Sequence, residues 1–136
     1  MKAIILAAGE GTHISPFSET RPISMIGVAG RTMLDNTFSL LKNAGINDIF
    51  VVVGHKQEKL IERLQEQDHN GLNLHYVEQK RKLGIGDAVM QVKNKISPGE
   101  YFLLLYGDTL TAENIFSKVQ QSFHSFKCPV ASICLP

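Results

Sequence analysis

The sequence predicts an α/β protein, a three-layer, doubly wound and mainly parallel sheet of Rossmann-like type. Two observations carry that expectation. Apolar, β-branched runs alternate with helix-like stretches along all 136 residues, and the first run opens into a glycine-containing turn, Leu6-Ala7-Ala8-Gly9-Glu10-Gly11-Thr12. Strands so continuously apolar belong to parallel sheets, and right-handed crossovers then force a doubly wound arrangement. Ligands of such folds sit beyond the carboxyl ends of the strands, near the switch point.

The elements follow in order. Ala3–Ala7 is the first strand. Met33, Leu34, Thr37, Phe38, Leu41 and Ala44 recur at helical spacing, and Gly45 closes that helix as a C′ residue. Ile49–Val53 is a β-branched strand ended by Gly54. Lys56 to Gln67 is a polar helix with a stripe of Leu60, Ile61 and Leu64, and Leu72–Val77 alternates as a strand. Asp87 to Lys95 reads as a short helix burying Ala88, Val89 and Val92. Tyr101–Tyr106 is the most apolar run, read as a buried strand that stops at Gly107-Asp108. Thr111 caps a last helix with the stripe Ile115, Phe116, Val119 and Phe123, and Pro129–Leu135 reads as a final strand. No repeat or linker divides this series, so residues 1–136 form one domain.

Composition narrows the function classes. The formal net charge is +1 with no basic block, which argues against broad binding to nucleic acid. No apolar run approaches the roughly 20 residues of a membrane helix. Met1-Lys2, a short apolar run and then the glycine turn do not make a signal peptide. Cys128 and Cys134 are read in one strand, six residues and so roughly 20 Å apart, too far for a disulfide. They are expected to be buried free thiols in a reducing cytoplasm.

The glycine turn itself points to a nucleotide. Gly9 and Gly11 let the main chain turn tightly and approach a ligand, and successive N–H groups of such a loop cradle phosphate oxygens. Ala7 and Ala8 leave room for a flat base. The commoner motifs fail on residue type. A dinucleotide fingerprint needs a third glycine where Ile14 stands, and a P-loop needs G-K-[ST] where Thr12-His13 follow Gly11. Asp108, after an apolar strand and a glycine, is placed to hold Mg²⁺, although a turn former before Thr111 would look the same. His13 and His55 have no second ligand at a sensible spacing and receive no catalytic role.

The stretch LAAGEGTHISPFSETRPISMIGVAG, Leu6 to Gly30, resembles the signature of the sugar-1-phosphate nucleotidyltransferases: L-A-A-G-x-G-T-R-L-x-P, then a P-K pair, then a G-K-P turn. Gln79 followed by Leu83-Gly84-Ile85-Gly86 is similar to the family's Q…L-G-T-G. Leu103-Leu104-Leu105-Tyr106-Gly107-Asp108 looks most like the uridylyltransferase domain of the N-acetylglucosamine-1-phosphate enzymes. The resemblance implies transfer of a nucleotidyl group from a nucleoside triphosphate to a sugar 1-phosphate, with release of pyrophosphate. It also implies the amino-terminal part of that fold, without the half that supplies the sugar pocket. By position, Leu6, Ala7, Ala8 and Gly9 would line the base and ribose, and Gly11, Thr12 and His13 would face the triphosphate. Gln79, Gly84 and Ile85 would meet the base edge, Tyr106 and Gly107 would also bind the nucleotide, and Asp108 would hold Mg²⁺.

Three positions depart from the family pattern. The loop arginine is His13, whose imidazole is mostly neutral at pH 7 and lacks the guanidinium fork. The lysine after Pro22 is Ile23, and the base-loop threonine is Ile85. Two cations missing from a polyanion site would each cost a few kcal/mol in the transition state, so weak or absent turnover is expected. Three readings therefore stand. The first is a nucleotidyltransferase; the second is a non-catalytic module binding a nucleotide or nucleotide sugar, either regulatory or paired with an active homologue. The third is an assembly or dimerisation domain, a homo-oligomer joined through an unfinished sheet edge.

Overall fold

A computed structural model describes residues 1–11, 15–67, 69, 71–81, 83–111 and 115–129. The first apolar run forms β1 (Lys2–Leu6), and two single 3₁₀ turns, Phe17–Glu19 and Ile23–Met25, follow it. A two-residue hairpin comes next, β2 (Gly27–Val28) paired antiparallel with β3 (Arg31–Thr32). Its tip, Ala29 at φ 50° and Gly30 at φ 83°, has the left-handed backbone that so tight a hairpin requires. Helix α1 (Met33–Asn43) starts at a capping box: Thr32 Oγ1 accepts from the Asp35 N–H at 3.1 Å, and Asp35 Oδ2 accepts from the Thr32 N–H at 3.2 Å. Gly45, at φ 73°, turns the chain out of it.

Then come β4 (Asp48–Val53), α2 (Gln57–Glu66), β5 (Asn73–Glu78), α3 (Ile85–Met90), β6 (Phe102–Tyr106) and α4 (Ile115–Phe126). The main sheet is parallel throughout, in the order β5-β4-β1-β6, with Ile4 opposite both Phe50 and Leu104. The chain thus winds outward from β1 through β4 to β5 and then crosses back to place β6 on β1's other side. The switch point lies between the carboxyl ends of β1 and β6.

The strands' alternation divides the core. Ala3, Ile5, Ile49, Val51 and Leu103 face α1, α2 and α4, where Leu34, Phe38, Leu41, Leu60, Leu64 and Phe116 complete a buried cluster. Ile4, Phe50 and Val52 face the other way, against Ala88 of α3 and Val92. Helices therefore cover both faces, as the apolar runs predict, with α3 on one face and α1, α2 and α4 on the other. On β6, an edge strand among the described residues, Phe102, Leu104 and Tyr106 are 40%, 42% and 52% exposed. The strand expected to be buried is open on the α3 face.

Other boundaries differ for local reasons. The helix expected over Asp87–Lys95 begins earlier, at Ile85, because Gly84 at φ 94° redirects the chain there, and Lys93–Lys95 is a separate 3₁₀ turn. Val89 is only half-buried. Cys128 is exposed rather than buried: it lies in a bend beyond α4, just after Lys127 at φ 54°, and not in a strand. Cys134 and the expected strand beyond Pro129 lie outside the described residues, as do the residues between Thr111 and α4. Among the described residues no helix is long and apolar enough to cross a membrane.

The α1 cap also fixes a charge. Arg63 of α2 lies 3.3 Å from Asp35 Oδ2. Burial works against the Asp35 charge, but hydrogen bonds from Thr32 and the Arg63 guanidinium together outweigh it and hold the carboxyl below its ordinary value. A depressed carboxyl stabilises the fold above its unfolded value, and that contribution is lost as pH falls through the folded one. Asp35→Asn is therefore expected to cost about 1 kcal/mol at neutral pH, a cost that vanishes in acid. Urea denaturation of both proteins across that range checks it.

Candidate nucleotide site

The first turn is framed by two glycines whose missing side chains let three segments meet. A Cβ on Gly107 would lie 3.1 Å from the Ala7 Cβ and from the Leu6 carbonyl oxygen; one on Gly54 would lie 3.0 Å from the Ala8 Cβ. Main-chain bonds tie the same places together: Gly107 N donates to Leu6 O at 2.9 Å, Ala7 N to Val52 O at 2.8 Å, and Gln79 N to Val53 O at 2.8 Å. The small residues after β1 thus bring its carboxyl end against those of β4 and β6.

These contacts surround a cavity of about 470 Å³ at the switch point. Every predicted site residue within the described set lines it: the turn Leu6, Ala7, Ala8, Gly9 and Gly11; the pair Gln79 and Gly84 with Ile85; and Tyr106, Gly107 and Asp108 beyond β6. Thr12 and His13 lie outside the described residues. Three stretches separated by some seventy and then twenty residues converge on one hollow, at the place where doubly wound sheets bind ligands.

Each wall has a cause. Gly11 sits at φ 66°, in left-handed backbone, and a Cβ there would fall 2.2 Å from Ile23 Cγ1 and 2.3 Å from its Cδ1. Ile23 therefore packs into the space that the glycine leaves. Residues 18–20 are tethered from the start of α2 and the residue before it: Lys56 Nζ donates to the carbonyls of Ser18, at 2.7 Å, and Glu19, and Lys59 Nζ to that of Thr20 at 2.9 Å. Across the cavity the Gln79 amide is oriented, since its Nε2 donates to Gly84 O at 3.1 Å and to Asp87 Oδ2 at 2.8 Å. Gln91 Nε2 in turn donates to Asp87 Oδ1 at 3.1 Å.

Sequence reasoning missed four of these residues. Asp87 was read only as the start of a helix, although its i, i+4 spacing to Gln91 hinted at the pair. Glu10 and Ala88 line the cavity, and so does Ser24, whose buried Oγ has no hydrogen-bond partner among the described residues. Asp108 is exposed at the cavity's edge, and the described residues contain no group of three or more potential metal-binding side chains.

Comparison with known proteins places the family and the fold. The family model described as nucleotidyl transferase matches residues 2–133. The bifunctional protein GlmU of Methanococcus maripaludis strain C5 is 38% identical over 115 residues, covering 85% of this chain and 26% of the relative. The UTP–glucose-1-phosphate uridylyltransferase AglF of Haloferax volcanii is 32% identical over 121 residues, 89% of this chain and 49% of the relative. A solved UDP-glucose pyrophosphorylase from Acinetobacter baumanii shares the fold at a TM-score of 0.75 and 22% identity, over 93% of this chain and 53% of that one. The chain spans about a quarter of the first relative and about half of the other two. With a family model matched over nearly its whole length, this chain belongs to the nucleotidyl transferase family.

Proposed function

We propose that the cavity between β1 and β6 binds a nucleoside triphosphate, UTP before the others, and that the chain is the nucleotide-binding part of a sugar-1-phosphate nucleotidyltransferase. The observation that carries this reading is the convergence of the glycine turn, Gln79-Gly84 and Gly107-Asp108 on one hollow of suitable size. The relative named for UTP and glucose 1-phosphate favours uridine as the base. In that reaction an oxygen of the sugar 1-phosphate attacks the α-phosphorus in line and pyrophosphate leaves, so the protein's task is to position two polyanions.

Main-chain N–H groups around Gly9 and Gly11 would meet phosphate oxygens, and the flat base would lie against Ala7 and Ala8. Gln79 is pre-oriented for the base edge, because Gly84 O and Asp87 hold its amide nitrogen. Asp108 offers one exposed carboxylate, which suits Mg²⁺, a cation that takes one or two carboxylates along with substrate phosphates. Bound there, Mg²⁺ would offset phosphate charge. A second reading, binding without turnover, is favoured by Ile23: the cavity wall carries a branched apolar side chain where the resemblance calls for a lysine.

Calorimetric titration with UTP, dTTP, CTP, ATP and GTP, with and without Mg²⁺, tests the reading. One base is expected to bind in the micromolar range with Mg²⁺. Gln79→Ala is expected to weaken that base about tenfold while leaving its competitors unchanged. No binding of any of the five up to millimolar concentration would overturn the assignment.

A further inference from the structure

We propose that Asp87 determines which base the cavity between β1 and β6 accepts, acting through Gln79, a role that rests on the nucleotide reading of that cavity. Gln79 lines the cavity; Asp87, in the first turn of α3, does not. A primary amide can offer a base either N–H donors or a carbonyl acceptor, depending on which way it is turned. Here it is turned one way. Gln79 Nε2 donates to Asp87 Oδ2 at 2.8 Å and to Gly84 O at 3.1 Å, and an inverted amide would set its oxygen against both acceptors. A carboxylate accepts only, and its charge makes Asp87 the stronger of the two holds. Gln91 fixes Asp87 in turn, since its Nε2 donates to Oδ1 at 3.1 Å and to the Asp87 carbonyl at 3.3 Å.

With both amide protons engaged, the polar atom that Gln79 presents to a ligand is Oε1, an acceptor. Uracil carries an N–H at ring nitrogen 3, between two carbonyls, and answers such an acceptor with a donor. Cytosine carries a lone pair at that nitrogen, and its amino donor lies one position further round the ring. The two triphosphates share ribose, phosphates and ring size, so the direction of the amide decides between them. Cytosine held in the pose of uracil would set two acceptors face to face, a larger loss than a missing hydrogen bond. Asp87 touches neither base nor phosphate here; it is a positioning residue, and what it positions is an acceptor.

Calorimetric titration of the whole chain with Mg²⁺–UTP and Mg²⁺–CTP tests the proposal on wild type, Asp87→Ala and Asp87→Asn. Wild type is expected to favour UTP by about tenfold or more. Asp87→Ala, which lets the amide turn, is expected to lower the UTP:CTP preference about tenfold, UTP weakening while CTP holds or tightens. Asp87→Asn keeps an acceptor of the same shape, with the exposed Gln91 reversing its own amide to match, and is expected to retain the preference within about threefold. NMR of the Gln79 side-chain amide without nucleotide reads the positioning itself. Its Nε2 protons are expected to exchange with water faster in Asp87→Ala and at the wild-type rate in Asp87→Asn. A preference that Asp87→Ala leaves unchanged, even with both ligands weakened equally, would overturn the proposal and leave the nucleotide reading standing. Failure of wild type to bind either triphosphate would overturn it together with the choice of UTP on which it rests.

Discussion

Gly11→Ala is expected to weaken Mg²⁺–UTP binding about a hundredfold or more. Two costs coincide at this position. The backbone is left-handed at φ 66°, where an L side chain is strained by about 1–2 kcal/mol. The new methyl would also lie 2.2 Å from Ile23 Cγ1, far inside contact distance, so the turn or the Ile23 side chain must move. Overpacking of this kind costs about 1–3 kcal/mol, and it falls on the main chain proposed to hold the triphosphate. The double variant Gly11→Ala/Ile23→Ala separates the two. Removing the isoleucine branch should recover the packing part and leave the backbone strain, so the substitutions should be strongly non-additive. Calorimetry on the four proteins reads this directly. Undiminished affinity in Gly11→Ala would mean that the turn does not touch the ligand.

How much of this was legible in the sequence depends on how local each signal is. The strands β1, β4, β5 and β6 stand out because a parallel sheet demands continuous apolar runs, and the observed ends differ from the expected ones by a residue or so. The first turn is legible for the same reason: glycine spacing is a local property. What is not local was lost. The run Tyr101–Tyr106 is as apolar as a central strand would be, and composition cannot say that its neighbour on one side is absent among the described residues. Arg31, Lys42 and Arg63 are far apart along the chain, and only the packing of α2 beside α1 gathers them into one groove. Asp87 failed likewise, since its partner Gln79 precedes its helix across a turn. Cys128 failed because the helix ends in a left-handed residue, Lys127, that no glycine announced.

Ile23→Lys is expected to tighten Mg²⁺–UTP binding by about ten- to a hundredfold, the worth of one charge-assisted hydrogen bond to phosphate. The wild-type side chain lines the cavity and rests in the space beside Gly11, so position 23 faces the turn proposed to carry the phosphates. A lysine is unbranched at Cβ and can follow the same wall, carrying its ammonium beyond the point where isoleucine stops. Shape and charge are separable. Ile23→Met keeps an unbranched, uncharged chain and is expected to change affinity little, and neither substitution should alter the binding of uridine, which has no phosphate to grip. The gain should also shrink with added salt, because part of it is Coulombic. Equal gains for lysine and methionine would make the effect one of packing. No gain for lysine would place the triphosphate elsewhere than beside Ile23 and would count against the assignment of the turn. If affinity rises and turnover with a sugar 1-phosphate stays undetectable, charge at this wall is not what limits the chemistry, and the reading of binding without turnover gains ground over that of a weak enzyme.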